Sequence, residues 1–308
     1  MTPDLFAAPG QFWKGNLHCH STASDGALPP EEVCRAYADQ GYDFISLTDH
    51  FIGRFGFPVT DTRAFRKSGF TTLLGAELHS GAMENGEIWH ILANGLPEDF
   101  TPPAVEDWRV DPGAETGPEL ARRAREAGAF VTLAHPGWSS MSAADALSLE
   151  AAHAVEIYNH AAEVCVDRGP GTWHLDRILD TGRLPGVIAT DDAHFHKPDY
   201  FGGWTMVKAE ENSPEALLAA LLDGHHYATQ GPEFHGIHWE DDAVVVETSP
   251  VSTIIVQGAG SAGESTMGDA MTSTRIALSP RMCHQDWARI TIVDKGGKKA
   301  WSPPVDRR

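Results

Sequence analysis

The sequence predicts an α/β protein with a parallel sheet or barrel in residues 1–230, followed by a small all-β unit in residues 231–308. Three observations carry this. Short apolar, β-branched runs alternate with helical segments roughly six or seven times. The strand-like runs end in polar residues, as at Asp49-His50, His135 and Asp192-Ala193-His194, where α/β barrels carry their reactive groups. After Gly231-Pro232 the helical segments give way to β-type runs separated by Gly, Ser and Asp.

The first unit spans residues 16–50. His18 and His20 stand two apart on a strand, so they share one face with Cys19 opposite. Pro29-Pro30-Glu31-Glu32 starts a helix, with proline in the first turn and acids at the positive end of the dipole. It runs to about Gln40 and stops at Gly41. Residues 44–48 are a buried strand ending at Asp49-His50. Residues 60–67 read as a helix, 70–75 as a strand leading into Glu77 and His79, and 87–93 as a strand carrying His90. Residues 94–117, rich in proline and acids, read as a loop. Helices follow at 118–127, 143–149, 173–180 and 214–222, and strands at 130–134, 154–158 and 186–190. In the last part, 244–247, 253–257, 275–278 and 288–293 are β-type runs, with 258–269 a Gly/Ser-rich loop.

Composition narrows the function classes. A net charge of −20 with no Lys/Arg-rich run argues against a nucleic-acid surface. No apolar run reaches the roughly 18 residues of a membrane span. The N-terminus has neither the basic region nor the apolar core of a secretory signal. The four cysteines are scattered without a CxxC pair, which fits a reducing, cytoplasmic setting. The 16 histidines are the unusual feature, several of them beside acids at strand ends.

Nine residues stand out as candidate metal ligands: His18, His20, Asp25, His50, Glu77, His90, His135, Asp192 and His194. Imidazoles and carboxylates together suit Zn²⁺, Mn²⁺ or Fe²⁺. The set is too large for one ion and fits two or three that share a bridging carboxylate. Three divalent ions against three carboxylates leave about +3, enough to draw an anionic small molecule into an acidic protein.

The ordered blocks HxH…SDG…LTDH, Gly75-x-Glu77, Ala134-His135-Pro136 and Asp192-x-His194 resemble the polymerase-and-histidinol-phosphatase (PHP) family, over about 180 residues. The resemblance implies a distorted, TIM-like (β/α)7 barrel with a trinuclear metal site at its C-terminal mouth. It implies that His18, His20, Glu77 and Asp192 hold one ion. Glu77, His90 and His135 would hold the second, and Asp25, His50 and His194 the third. Some family members have His where Asp25 stands, and the sequence around His90 varies. Glu156-x-Tyr158-Asn159, the segment 224–232 and the ending 294–304 resemble a branch that includes carbaryl hydrolases, whose members often carry a C-terminal β domain.

The leading expectation is a metal-dependent phosphoesterase in which a metal-bridging hydroxide attacks phosphorus, with Glu77, Asp192 and His194 as catalytic groups. An alternative uses the same cluster on a carboxylic ester, amide or carbamate, and a third is a non-catalytic metal-binding domain. Arg54, in the loop after His50, is a candidate for an anionic substrate group. His79, two past Glu77 on the same side, and His160, at a strand end, are candidates for substrate contact.

Overall fold

Tetrapeptides such as Phe44–Leu47 and Phe130–Leu133 form strands with no exposed position, as expected of strands covered on both faces. The computed structural model describes residues 5–110 and 113–308. Part of the expected loop, residues 111–112, lies outside the described residues. The chain opens with β1 (Gln11–Asn16), α1 (Pro30–Asp39), β2 (Phe44–Leu47), β3 (His50–Phe51) and β4 (Thr71–Leu78). β5 (Ile91–Asn94), α2 (Gly117–Glu126), β6 (Phe130–Leu133), α3 (Ala143–Ser148) and β7 (Ala154–Asn159) follow. Next come α4 (His160–Val166), α5 (Thr172–Leu179), β8 (Gly186–Thr190), β9 (Trp204–Ala209), α6 (Pro214–Leu222) and β10 (His226–Thr229). The last part holds β11 (Phe234–Trp239), β12 (Ala243–Gln257), β13 (Gly263–Ala277), α7 (Pro280–Cys283), β14 (Trp287–Val293), β15 (Lys299–Trp301) and β16 (Val305–Asp306).

The result is a mixed α/β fold with one large sheet. β1, β2, β4, β5, β6, β7 and β8 are successive neighbours in it. All these pairings are parallel except those of β5, which is antiparallel to both β4 and β6. Just beyond the strand ends the ladder returns to its start. Cys19 bridges Ala193 in parallel. His20 N donates to Ala193 O and Asp192 N to His18 O, both at 2.9 Å. Backbone pairing thus brings the segment of His18 and His20 against that of Asp192 and His194, across more than half the chain.

On the other side of β1 the ladder runs through β9, β10 and β15 to β14, β12 and β11, with β13 along the far edge of β12. Arg289 on β14 is buried and donates two hydrogen bonds to Asp176 on α5, at 2.9 and 3.2 Å. This bidentate pair ties the C-terminal strands to the helical layer.

Three local expectations change. Residues 60–67 form only a 3₁₀ turn, Arg63–Phe65. Asp61 accepts from Arg63 N and its guanidinium, and Arg66 donates to Thr72 O. Such side-chain bonds compete with the helical ladder. His90 sits just before β5 rather than within a strand. Much of the expected loop 258–269 belongs to β13, which pairs along the length of β12. Its residues are largely exposed, so no apolar alternation betrays it.

One buried histidine gives an acid-stability prediction. The His226 ring packs edge-on against Phe130 at 5.5 Å, and neither ring nitrogen has a hydrogen-bond partner. Burial, then His225 and His153, lower its pKa to about 3. The unfolded chain takes a proton near pH 6.5 that the native state refuses, so stability falls as pH drops below 6.5. The loss is on the order of 2 kcal/mol by pH 5. His226→Leu should remove most of that loss, as measured by urea unfolding at pH 8 and pH 5.

Candidate metal centre

Each candidate ligand sits where a strand ends or its path turns. Glu77 is on β4 and His50 opens β3, paired with Glu77 in the ladder. His135 and Asp192 follow β6 and β8 at φ of 22° and 56°. Non-glycine residues rarely adopt such angles, and where they do the surroundings hold them in place.

The structure gathers all nine residues into one cluster in which Glu77 is fully buried. Glu77 Oε1 lies 2.8 Å from His90 Nδ1 and 3.1 Å from His135 Nε2. Glu77 Oε2 lies 2.7 Å from His50 Nδ1 and 3.6 Å from both His18 Nε2 and His20 Nε2. Asp192 Oδ1 sits 3.1 Å from His18 Nε2 and 3.0 Å from His20 Nε2. Asp25 Oδ1 is 3.3 Å from His50 Nε2 and 3.4 Å from His194 Nε2. Four groups of ligand atoms each fall within 4.8 Å: His18, His20 and Asp192; His18, Glu77 and His135; His20, Asp25, His50 and His194; and His50, Glu77, His79 and His90. His90 therefore groups with His50 and His79, and His20 joins the Asp25 group.

The electrostatics are those of a centre that wants a shared cation. Burial, then His50 and His194, push His20 down to about 4. Its ring stacks on those of His50 and His194 at 4.2 and 4.3 Å, where several protonated rings would repel. Burial works against charge on His50 as well, yet Glu77 and Asp25 carry it up to about 10. His194 rises to about 9 through Asp25 and Asp192 against the same burial. Glu77 and Asp192 resist burial and stay well below the ordinary carboxylate range, held there by the surrounding histidines. His18 Nε2 and His20 Nδ1 are buried without hydrogen-bond partners. Buried nitrogens left unsatisfied are costly unless a ligand completes them, and His18 Nε2 faces both Glu77 and Asp192. The donor set, neutral imidazoles with anionic oxygens, thus fits divalent transition metals.

The cleft above this cluster has a volume of about 320 Å³. Asp25, His50, Glu77, His90, His135, Asp192 and His194 line it, together with Glu87, Ile88, Trp108 and Trp138. His79 is buried beneath, its Nε2 3.0 Å from His50 Nδ1 and its Nδ1 3.1 Å from Trp89 O. Arg54 lies outside the lining, exposed and paired with Asp107 at 3.4 Å. His160 also lies outside, its Nδ1 3.0 Å from Tyr158 Oη.

Four residues support the ligands in roles that the sequence reading did not assign. Glu156 Oε1 lies 3.0 Å from His18 Nδ1, and its Oε2 accepts from His135 N at 2.6 Å and Asn159 Nδ2 at 3.0 Å. Asn159 Nδ2 also reaches Asp192 Oδ2 at 3.1 Å. Asp49 accepts from Ser21, Ser24 and Thr60, fixing the loop that carries Asp25. Tyr37 Oη donates to Asp191 at 2.9 Å, whose pKa burial raises to about 6. A lone carboxylate inside the fully buried strand Ala154–Asn159 was the available signal for Glu156. A carboxylate behind a ligating histidine fixes its tautomer and orientation, and its loss costs roughly 10–100-fold in metal affinity. Glu156→Gln should weaken metal binding by about that factor in a metal-competition titration while the protein stays folded.

This geometry defines a buried candidate metal centre on an α/β sheet. Residues 16–159 match the PHP domain model. A stretch of 38 residues is 63% identical to a 5'-3' exoribonuclease of Haemophilus influenzae, covering 12% of this chain and 14% of that protein. A stretch of 37 residues is 49% identical to the DNA polymerase/3'-5' exonuclease PolX of Bacillus subtilis, covering 12% and 6%. The matches thus span only a small part of these relatives. A two-domain Bacteroides vulgatus protein containing a predicted PHP-like metal-dependent phosphoesterase superposes with a TM-score of 0.53 at 17% identity, over 97% of each chain. That likeness speaks for the fold. No helix among the described residues is long and apolar enough to cross a membrane.

Proposed function

We propose that this protein is a metal-dependent phosphoesterase acting on an anionic small molecule. The observation that carries the reading is the convergence of six imidazoles and three carboxylates in one cluster, with five of the rings facing Glu77. The PHP match and the two partial relatives, both nucleases by name, support phosphorus over carbon as the reacting centre. We further read the sheet as the distorted (β/α)7 barrel of that family, with residues 231–308 as a separate β unit.

In the assignment we favour, His18, His20, Glu77 and Asp192 hold one divalent ion, Glu77, His90 and His135 a second, and Asp25, His50 and His194 a third. Zn, Mn or Fe ions there would supply Lewis acidity to phosphoryl oxygens and a water acidified towards neutrality. The chain's own residues do the rest. Glu77 and Asp192 are anionic anchors that keep the neighbouring imidazoles aimed inward. Glu156 and Asn159 fix His18, His135 and Asp192 against rotation. His194, a quarter exposed, is the most accessible imidazole of the set. Its Nδ1 bonds Asp192 O at 2.9 Å, which leaves Nε2, 3.4 Å from Asp25 Oδ1, to face the ion.

The test is a panel of aryl phosphates, phosphodiesters, nucleotides, carboxylic esters and carbamates offered to metal-loaded protein. Turnover of phosphoesters supports the proposal. Turnover confined to esters or carbamates overturns it and points to the carbaryl-hydrolase-like branch.

A further inference from the structure

We propose that Trp108 and Trp138 form an aromatic corner beside the metal centre, selecting substrates in which a single phosphoryl group is esterified to a planar aromatic ring. The inference rests on the phosphoesterase reading and names its substrate class. Both indoles line the metal cleft yet are 37% and 43% exposed. Large aromatic side chains left open in a concave site are anchors for flat ligands.

Their orientation defines the corner. The Trp108 ring lies parallel to His90, with 8° between planes and centroids 6.0 Å apart, and meets His50 edge-on at 4.7 Å. Trp138 meets the same His90 at 64° and 5.4 Å, and His135 at 74° and 4.9 Å. The two indoles therefore stand at a steep angle to each other. A ring seated between them takes one indole on its face and the other on its edge, the two favoured aromatic arrangements.

The corner is pre-positioned. Gly53 N donates to Val105 O at 2.9 Å and Arg54 N to Glu106 O at 2.6 Å. With the Arg54–Asp107 pair, these bonds pin the segment carrying Trp108 to the one that follows His50. Asn85 Nδ2 donates to Ser139 O at 2.7 Å and Ser139 N to His135 O at 3.2 Å, which fixes the turn of Trp138.

Charge limits the rest of the substrate. Glu87 adds an acid to the rim, and no Lys or Arg lines the cleft among the described residues. Beyond the ions there is no cation to receive a second phosphate, which would face Asp25 or Glu87. One phosphoryl group at the centre and a neutral ring in the corner satisfy both ends.

The test uses phenylphosphonate and methylphosphonate, whose C–P bonds resist hydrolysis, titrated into metal-loaded protein by calorimetry. Wild type should bind the phenyl compound about tenfold more tightly than the methyl one. Trp108→Ala and Trp138→Ala should each shrink that ratio, and the double variant should bring it near one. Trp108→Phe and Trp138→Phe keep a ring in place and should retain most of the preference, which separates the corner from a loss of fold. Equal affinities in wild type, a preference that survives in the double Ala variant, or no binding of either phosphonate overturns the proposal. Turnover of 4-nitrophenyl and methyl phosphate is measured separately. Its absence sinks the phosphoesterase reading, while the calorimetric ratios still decide the corner.

Discussion

Glu77→Gln is expected to empty the centre and lower turnover by at least about 100-fold, since Glu77 is more central than the supporting carboxylates whose loss costs roughly 10–100-fold. The two oxygens of Glu77 face five imidazoles within 3.6 Å. Glutamine keeps the volume and one carbonyl oxygen but replaces the other oxygen with an NH₂ donor. That donor would face His nitrogens that must be lone-pair ligands. It also removes the buried charge that holds His50 up to about 10 against its burial. Metal analysis and turnover on the purified variant check this together. A Glu77→Gln protein with full metal content and unchanged rate would show that the cluster is assembled around something else.

Stripping the metals is expected to destabilise the protein in a way that depends on pH. In the metal-free protein the cluster must be held by protonated imidazoles beside carboxylates. His50 and His194, despite burial, are carried to about 10 and about 9 by Glu77, Asp25 and Asp192. Their folded values lie above the unfolded value near 6.5. Their stabilisation is therefore complete below about pH 6.5 and disappears as pH rises through 9 to 10. Divalent ions require the neutral rings, so ion binding strengthens over the same window. The gap in Tm between loaded and stripped protein should widen from pH 6.5 to pH 9. With ions at about 1,000 times Kd the gain is roughly 4 kcal/mol per ion, or about 6 °C for a chain of this size. Differential scanning calorimetry at several pH values measures it. A gap that is absent, or that narrows with rising pH, would contradict the account.

Several of the nine ligand candidates were legible because they lie at the ends of short apolar runs, and all of them because together they recur in a family's order. Residues 18–20 and 192–193 are far apart in sequence, yet their parallel pairing is what a strand order returning to β1 requires. Glu156 was harder to see, since a single acid in a strand looks the same whether it supports a ligand or caps a turn. Trp108 was not legible as part of the cleft. It lies in a proline- and acid-rich stretch whose position depends on hydrogen bonds from Gly53 and Arg54, with no periodicity to mark it. Arg54 looked like an anion receptor by its place after His50, but its guanidinium turns to Asp107 and its backbone holds the loop. The β13 strand escaped because exposed Ser, Thr and Gly carry no alternating pattern when pairing with β12 supplies the stability.

The most direct test of the central claim is the metal content of the purified protein, followed through a chelation and reloading cycle with phosphoester turnover read at each step. Nine donor groups at about four per ion, with sharing, predict about three divalent transition-metal ions per chain when fully loaded. Turnover should vanish on chelation and return in proportion to the metal restored. Protein that binds less than about one ion per chain at saturating metal, or that hydrolyses phosphoesters equally well after stripping, would contradict the claim.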